Sequence, residues 1–403
     1  MNIIRRILKW TGITLGTVLL LPVFIMVLLY IPPIQNWAVQ KAIGIASEET
    51  GMDISLEKVG ITPLLDIELE NLTAIQENDT VLHTGAVMVD LDFGNILQGQ
   101  FGIEGIGIRN GVFNSLDLIP QLGINGRLGL LHLDREDTDL KNGRAQLSGA
   151  SIEGCDLDIC MRDTVITDTT ESAPLPWTIK VGQIDIRNSR IGFRTAGDTL
   201  AVSTAIRNAQ LSGGDISLEN GIYAVNALGI DIDTLLLCMK DTAGASTCIS
   251  LPATSLSAEG LRMDTMAVSL PKFSINTGMQ EKPQSLISGN LHMDFNAFTP
   301  RSGGFMAANI KASLSHSDLL GIAKVYIPED LAKAYPALPL NAHITANGNI
   351  DSINIDTLHL LMPTALDIKA DGYVADALAE GGMRAHLLWD ASTMNLDFIR
   401  RYL

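Results

Sequence analysis

The sequence predicts a mainly β protein that follows an N-terminal transmembrane helix and a short amphipathic helix, with a few short helices later in the chain. One observation behind this prediction is an uncharged apolar run near the N-terminus. The other is a period-two alternation of apolar and polar residues, which recurs from about residue 53 onward. Such alternation gives a β-strand one apolar and one polar face. Gly, Asn and Asp separate the alternating segments, as in antiparallel meanders.

The membrane anchor is predicted at residues 13–31, which carry no charge and are long enough to cross a bilayer core as a helix. Arg5, Arg6 and Lys9 precede the run. The positive-inside rule therefore places residues 1–12 in the cytoplasm and the rest of the chain outside it. A cleaved signal peptide is the alternative. The length of the run and the lack of a small-residue cleavage site after it favour the anchor.

Two other segments predict helices. In residues 33–51, Trp37 and Ile45 recur at helical spacing and Gly51 is a natural end. This amphipathic helix is expected either to lie at the outer membrane surface or to pack on the first strands. Residues 317–339 predict a helical insertion of two short helices, which Pro328 separates and in which Ser317 is the expected N-cap.

The strand pattern recurs along the chain, including residues 228–233 and 366–371, and four further segments show alternate aliphatic residues on one face and polar residues on the other. These apolar positions are Leu65, Ile67 and Leu69; Val87, Val89, Leu91 and Phe93; Ile184 and Ile186; and Leu291, Met293 and Phe295. Four phrases place an Asn after such an alternation: IELEN (67–71), IGIRN (106–110), IDIRN (184–188) and ISLEN (216–220). Since Asn tolerates left-handed backbone and caps turns, we expect these residues at strand ends.

The four cysteines divide into two pairs. Cys238 and Cys248 lie symmetrically about residue 243, so a hairpin that turns there places them opposite each other and allows a disulfide in an oxidising compartment. Cys155 and Cys160 differ by an odd number and face opposite sides of a single strand. Free thiols, buried as small hydrophobic groups, are the alternative for all four.

Charge and motif content exclude several classes of function. The formal net charge of -17 argues against a nucleic-acid partner, which requires a basic surface, and disfavours broad docking on anionic headgroups. The seven histidines are scattered, and no zinc-protease, phosphate-loop, nucleophile or dinucleotide motif occurs. Paired acids such as Asp90 and Asp92 fit the solvated face of a strand. We therefore expect no enzyme activity, no cofactor and no metal.

The apolar face is open to two structural interpretations. Periodicity alone favours a closed β-sandwich, in which each apolar face is buried on another. Against it, the chain shows no clear breaks into modules of about 100 residues, the usual sandwich size. Its inward positions also include many alanines, which leave space along the interior: Ala297, Ala308, Ala312, Ala346 and Ala370. The sequence thus permits an apolar face that no other part of the chain covers.

A family resemblance favours that open arrangement. The basic flank, the apolar run and the segment IQNWAVQKAIGIASEETG, followed by DISLEKVGI and DIELENL, resemble the N-terminal part of AsmA-like and TamB-like proteins of Gram-negative envelopes. WTIKVGQIDIRNSRIGFR (177–194) is similar to the phrase that these proteins repeat. The resemblance implies an elongated antiparallel sheet, curled into a taco-like groove over residues 53–403. Because the typical TamB is far longer, the chain is either a short member or the front of a longer protein.

The resemblance also implies a function. It predicts a single-pass inner-membrane protein, with its bulk in the periplasm, that passively transfers phospholipid between the inner and outer membranes. The residues expected to line the groove and contact acyl chains are Leu65, Ile67, Leu69, Val87, Val89, Leu91, Phe93, Ile184, Ile186, Leu291, Met293 and Phe295. The alternative is a scaffold for translocation and assembly of outer-membrane or secreted proteins, with an outer-membrane barrel protein as partner.

Overall fold

The structure is a computed structural model that describes residues 32–61, 66–91, 103–115, 122–139, 143–162, 177–240, 246–279, 282–323, 329–376 and 382–393. The cytoplasmic segment and the anchor expected at residues 1–31 lie outside these ranges. From residue 32 onward, no helix in the described ranges is long and apolar enough to cross a membrane. Strands dominate and helices are few, which confirms the β-rich fold class.

The chain divides into two compact units, and the first contains residues up to 119 together with residues 124–135. Its elements are helix α1 (Pro32–Thr50) and strands β1 (Asp53–Ser55), β2 (Lys58–Ile61), β3 (Ile67–Gln76), β4 (Asp79–Leu91), β5 (Ile103–Asn114) and the middle of β6 (Leu122–Asp139). Both β1 and β2 pair with β3, and β3 to β6 follow one another as antiparallel neighbours.

Helix α1 packs on β1 and β2. Gly51 follows the helix with a φ of 69° and donates its N–H to the carbonyl oxygen of Ser47 at 2.9 Å, as a C-terminal glycine does. The hydroxyl of Ser47 in turn accepts the N–H of Ile54 at 3.3 Å. Trp37 and Ile45 remain 65% and 54% exposed. The helix is thus held on the first strands while these two apolar side chains face outward.

The second unit contains residues 120–123 and the chain from residue 136 onward. Its strands are β7 (Arg144–Glu153), β8 (Asp156–Met161), β9 (Thr178–Arg194), β10 (Leu200–Ser217), β11 (Ile222–Lys240), β12 (Ser246–Leu251), β13 (Thr254–Met263), β14 (Ala267–Met279), β15 (Lys282–Asp294), β16 (Met306–Leu314), β17 (Leu340–Asn349), β18 (Ser352–Met362), β19 (Leu366–Ala375) and β20 (Arg384–Thr393). Its helices are α2 (His316–Ala323) and α3 (Glu329–Ala334).

The sheet of the second unit is mixed. From β9 to β20 the pairing is antiparallel, with β11 pairing with both β12 and β13. However, β7 and β8 both run parallel to β9, so the expectation of a purely antiparallel sheet is wrong here. Parallel neighbours need a connection of a dozen or more residues. The chain between Met161 and Thr178 is long enough to provide one.

The repeated Asn residues mostly lie inside strands, not at strand ends. Asn71, Asn110 and Asn188 have φ values of 54°, 52° and 48° within β3, β5 and β9. Left-handed residues in a strand bend it locally, and Asn accepts this backbone at low cost. Only Asn220 lies in a turn, where its side chain donates to the hydroxyl of Ser217 at 2.9 Å. The sequence phrase therefore marks bends within long strands as well as turns.

Helix α2 is attached to the β14–β15 hairpin by a hydrogen-bond network. The carboxylate of Asp318 accepts hydrogen bonds from the hydroxyls of Ser285, at 2.6 Å, and Thr277. The N-cap is Ser315, since its hydroxyl accepts the N–H of Asp318 at 3.2 Å, and not Ser317 as expected. Ser285, which is 3% exposed, also accepts the N–H of Ser315 at 2.8 Å. The network fixes the start of the helix beside the sheet.

Candidate functional site

One face of the second unit carries two rows of apolar residues. Residues directly opposite each other in neighbouring strands share a face, so the strand registers define each row, one residue per strand from β7 to β20 without β8 and β12. The first apolar row is Ile152, Ile186, Ala209, Ile230, Leu256, Ile275, Ile287, Ala312, Ala342, Leu360, Ile368 and Ala391. At about 4.8 Å per strand, it runs for about 50 Å along the sheet.

The second apolar row lies two residues along each strand, on the same face. Its members are Ala150, Ile184, Leu211, Leu228, Ala258, Phe273, Gly289, Ile310, Ile344, Leu358, Ala370 and Trp389. No polar side chain interrupts either row. The two rows therefore form a continuous hydrocarbon strip across the unit.

The opposite face of the same strands is polar. Between the two apolar rows, and pointing the other way, lies a polar row: Ser151, Asp185, Gln210, Gly229, Ser257, Ser274, Ser288, Lys311, His343, His359, Lys369 and Asp390. This separation extends over sequence-distant strands. The two faces stay separate because every strand keeps its register with its neighbours as well as its alternation. A shift of one residue in any strand would move its apolar residues to the polar face.

The larger side chains of the apolar rows are only partly buried, whereas Ala150, Ala209 and Ala258 are buried. Ile186 and Ile230 are half-buried, and Ile344 and Trp389 are 37% and 72% exposed. Across the described ranges, the largest fully buried side chain is that of Thr84, and most of the buried hydrophobic residues are alanines. A closed sandwich buries large aliphatic side chains between two sheets. The described faces do not have the burial of such a core.

Small side chains are concentrated at β16 and β17. Ala308 faces Ala346 and Ala312 faces Ala342, on either side of the Ile310–Ile344 pair. A methyl group rises less above the sheet than the branched side chains of the flanking strands. The apolar surface is therefore lower at these two alanine pairs than at the Ile310–Ile344 pair between them.

The first unit repeats this arrangement with larger residues. One row consists of Val59, Leu69, Val87, Ile108 and Leu131, and the next of Ile61, Ile67, Val89, Ile106 and Leu133. The other face carries charged residues, where Arg109 Nη2 lies 3.4 Å from Glu68 Oε1 and Lys58 Nζ lies 2.8 Å from Glu70 Oε1. Both units thus present one hydrocarbon face and one charged face.

The structure places the expected lining residues as follows. Ile67, Leu69, Val87 and Val89 share the apolar face of the first unit, where Leu91 faces Ile103; Ile184, Ile186, Leu291 and Met293 share that of the second. Leu65 and Phe93 lie outside the described residues.

Phe295 does not continue the alternation of β15. The strand ends at Asp294, and Phe295 begins a 3-10 turn with its side chain 44% exposed. The N–H of Phe305 donates to the Asp294 carboxylate at 2.8 Å, which holds the chain in this turn. The expectation that Phe295 belongs to the strand face is therefore wrong.

The local sequence pattern did not identify most members of the two apolar rows. Leu256 and Ala258 alternate with serines in TSLSAEGL (254–261), and Ile310 alternates with polar residues in ANIKASL (308–314), where only the alanines were expected to point inward. The same period-two signal was present there, but Ser, Ala and Asn weaken the contrast between faces. Only the register with neighbouring strands makes their shared face clear.

Comparison with known proteins adds no family name to this geometry. No family model matches the chain, and no curated protein matches it either.

The cysteines have two different states. Cys238 and Cys248 lie opposite each other in β11 and β12, with Cα atoms 4.1 Å apart, and form a disulfide. Cys155 and Cys160 are free. Burial, followed by the charge of Asp156, raises the pKa of the Cys155 thiol. Since the thiolate is the reactive form, this shift lowers the reactivity of Cys155.

A depression of about 540 Å³ at β17–β20 is lined by His343, His359 and Lys369 among others. His359 Nε2 lies 2.8 Å from Asp367 Oδ1, and His343 Nε2 lies 3.1 Å from Asn309 Oδ1. No group of three or more metal-ligating side chains is arranged around an ion position anywhere in the described ranges.

Proposed function

We propose that this protein is a membrane-anchored, periplasmic lipid-transfer protein whose apolar β-faces carry the acyl chains of phospholipids. The observation that carries the proposal is the pair of uninterrupted apolar rows on one face of the second unit, whose larger side chains remain at least partly exposed. In this proposal the sheet is curled into a groove, as the resemblance to AsmA-like and TamB-like proteins implies, and the acyl chains are its occupants.

The chemistry of the face suits hydrocarbon. Each methylene that leaves water for an apolar surface contributes about 0.8 kcal/mol, so an acyl chain prefers the rows to solvent. The rows offer aliphatic side chains in every strand and no buried charge that fixes one position. Similar contacts repeat every strand, about 4.8 Å apart, which favours sliding over tight binding at one place. The proposed transfer is passive and includes no catalytic step.

Other features support the proposed location. The apolar run at residues 13–31 with its basic flank supports an inner-membrane anchor that has its N-terminus in the cytoplasm. The Cys238–Cys248 disulfide suits the oxidising periplasm. In this arrangement the β-units receive phospholipid at the inner membrane and pass it toward the outer membrane.

The proposal is tested by measuring bound lipid on the full chain. The protein is purified from Gram-negative membranes in mild detergent, and phospholipid per chain is quantified by mass spectrometry after extensive exchange into lipid-free detergent. We expect at least one phospholipid per chain to be retained. Retention of none, together with no acceleration of phospholipid transfer between donor and acceptor vesicles, contradicts the proposal.

The second candidate function is a scaffold for outer-membrane or secreted proteins, which bind by adding a strand to a sheet edge. The exposed edge of β20 favours it, since Leu388 and Trp389 are 62% and 72% exposed there. Co-purification of an outer-membrane barrel protein, with no bound phospholipid, is the result that supports this function instead.

A further inference from the structure

Strand β20 forms an edge of the second unit's sheet. Within the described ranges its only strand neighbour is β19, so alternate N–H and C=O groups of β20 face away from the sheet. Nearly every side chain of β20 is exposed, including the consecutive residues Leu387, Leu388 and Trp389 at 39%, 62% and 72%. Exposed apolar residues beside free backbone groups form a template for pairing with another strand.

The residues of β20 define what a partner strand must offer. Leu387, Trp389 and Ala391 alternate on the apolar face, where Trp389 and Ala391 end the two apolar rows. A partner strand must therefore place apolar residues at alternate positions of the same face. On the other face, Arg384 and Asp390 lie near the two ends of the strand and require opposite charges across from them.

A second copy of β20 meets both requirements. In antiparallel pairing about a two-fold axis at Leu387, residues equidistant from Leu387 face each other. Leu387 then faces Leu387 and Ala385 faces Trp389 on the apolar face, while Arg384 faces Asp390 on the polar face. The symmetry produces the Arg384–Asp390 pair twice. Arg384 already contacts Asp376 through Nε at 3.0 Å, and its five donors allow a second carboxylate.

We propose that β20 pairs with β20 of a second copy of this chain, so that the two sheets join edge to edge as a two-fold dimer. Because the axis is perpendicular to the sheet, both copies present their apolar rows on the same side. The rows of one copy thereby continue into those of the other. This dimer goes beyond the proposed function and does not depend on what occupies the apolar face.

The first test measures oligomeric state by light scattering of the full chain in detergent, with the detergent mass subtracted. We expect twice the 43.3 kDa chain mass. Asp390→Arg should weaken the dimer about tenfold, since it places like charges opposite each other twice. Arg384→Asp combined with Asp390→Arg should restore it. Neither variant changes the N-terminal anchor segment. If both variants dimerise as strongly as the wild-type chain, the dimer forms through another surface and the proposal is overturned. A monomeric wild-type chain overturns it as well.

The second test fixes the register. In a background with Cys155→Ser and Cys160→Ser, Leu387→Cys should form a disulfide-linked dimer under mild oxidation. Leu388→Cys should not, because in this register residue 388 faces His386 of the other copy. Lys369→Cys on β19 is the control for random encounter. Equal cross-linking at positions 387 and 388, or capture of an added client strand in place of the second copy, contradicts the proposed dimer. Bound phospholipid is unaffected by either result, which separates this proposal from the lipid function.

Discussion

The two units present the same kind of apolar face with different relief, meaning the height of the side chains above the sheet. In the first unit, both apolar rows consist of branched aliphatic residues at every strand, such as Leu69, Val87 and Ile108. In the second unit, alanine alternates with large residues, and Ala308 and Ala346 face each other at β16 and β17. The first surface is evenly high, whereas the second has a low segment at these alanine pairs.

This difference shows that two properties of the sequence act separately. Alternation and register decide which face is apolar, and they do so in both units. Side-chain size decides how far that face rises and how much space lies above it. In the proposed function, an acyl chain would meet the same apolar chemistry in both units and more room at the alanine pairs of β16 and β17. The predictions below test whether the shared chemistry or the different relief governs lipid contact.

The largest effect is expected from a charge on the shared apolar chemistry. Ile230→Asp places a carboxylate in the first apolar row of the second unit, where it must remain hydrated and excludes hydrocarbon. Phospholipid bound per chain, measured by mass spectrometry, should fall about tenfold. The matched control is Gly229→Asp on the neighbouring polar face, where an added Cβ meets nothing within 4 Å. Equal losses in both variants contradict the assignment of the faces.

An equivalent pair of substitutions in the first unit, one on each face, tests whether that unit also contacts lipid. Leu131→Asp enters the apolar row beside Ile108, and Leu130→Asp lies opposite Arg109 on the charged face. If both units contact lipid through the shared chemistry, Leu131→Asp lowers vesicle-to-vesicle transfer several-fold, and Leu130→Asp leaves it unchanged. Normal transfer by Leu131→Asp confines lipid contact to the second unit.

A smaller effect is expected from filling the low segment. Ala308→Leu with Ala346→Leu adds bulk to a facing pair without adding charge. Bound phospholipid should fall about two- to threefold, since the chemistry is kept and only the space is lost. Ala307→Leu, which faces Asn347 on the polar side, is the control. No change in bound lipid from the double variant shows that relief is irrelevant.

Reduction of the disulfide should affect the stability of one unit only. All four cysteines lie in the second unit, and a disulfide that closes a loop of ten residues contributes about 2–3 kcal/mol. Cys238→Ser with Cys248→Ser should therefore lower the melting temperature of the second unit by several degrees in calorimetry. Melting of the first unit and the amount of bound lipid should not change. A shift in both transitions argues against independent units.

The smallest effect is expected from the ion pairs on the polar faces. Arg207 pairs with Asp233 in the second unit and Arg109 with Glu68 in the first, with side chains about half exposed. Exposed pairs contribute under about 1 kcal/mol and are screened by salt. Arg207→Ala and Arg109→Ala should each change the free energy of unfolding by less than about 1 kcal/mol, with no effect on bound lipid.

The alternation of residues within a strand predicts its two faces but not which other strands pair with it. The alternation at Ile184 and Ile186 identifies a shared face because period-two alternation needs no knowledge of neighbouring strands. Likewise, the symmetric spacing of Cys238 and Cys248 contains the hairpin register that brings them together. The parallel pairing of β7 and β8 with β9 carries no such signal, because it depends on where a long connection returns the chain.

Backbone bends are a second limit on what the sequence reveals. The same phrase ends in a left-handed Asn71 within a strand and in Asn220 within a turn, where the left-handed residue is Gly221, so the two asparagines look alike only in the sequence. Their different places follow from neighbouring strands, which continue past Asn71 but not past Asn220. Phe295 fails for a related reason. The alternation continues through Phe295 in the sequence, but the strand ends at Asp294 and residues 295–298 form a 3-10 turn.

Photo-cross-linking in intact Gram-negative cells tests the central claim most directly. A photoreactive amino acid replaces Leu228 in the second apolar row, or Ser257 in the polar row on the adjacent strand, and adducts are identified by mass spectrometry after irradiation. The account predicts phospholipid adducts at position 228 and none at position 257. Adducts at neither position, or at both equally, would contradict it.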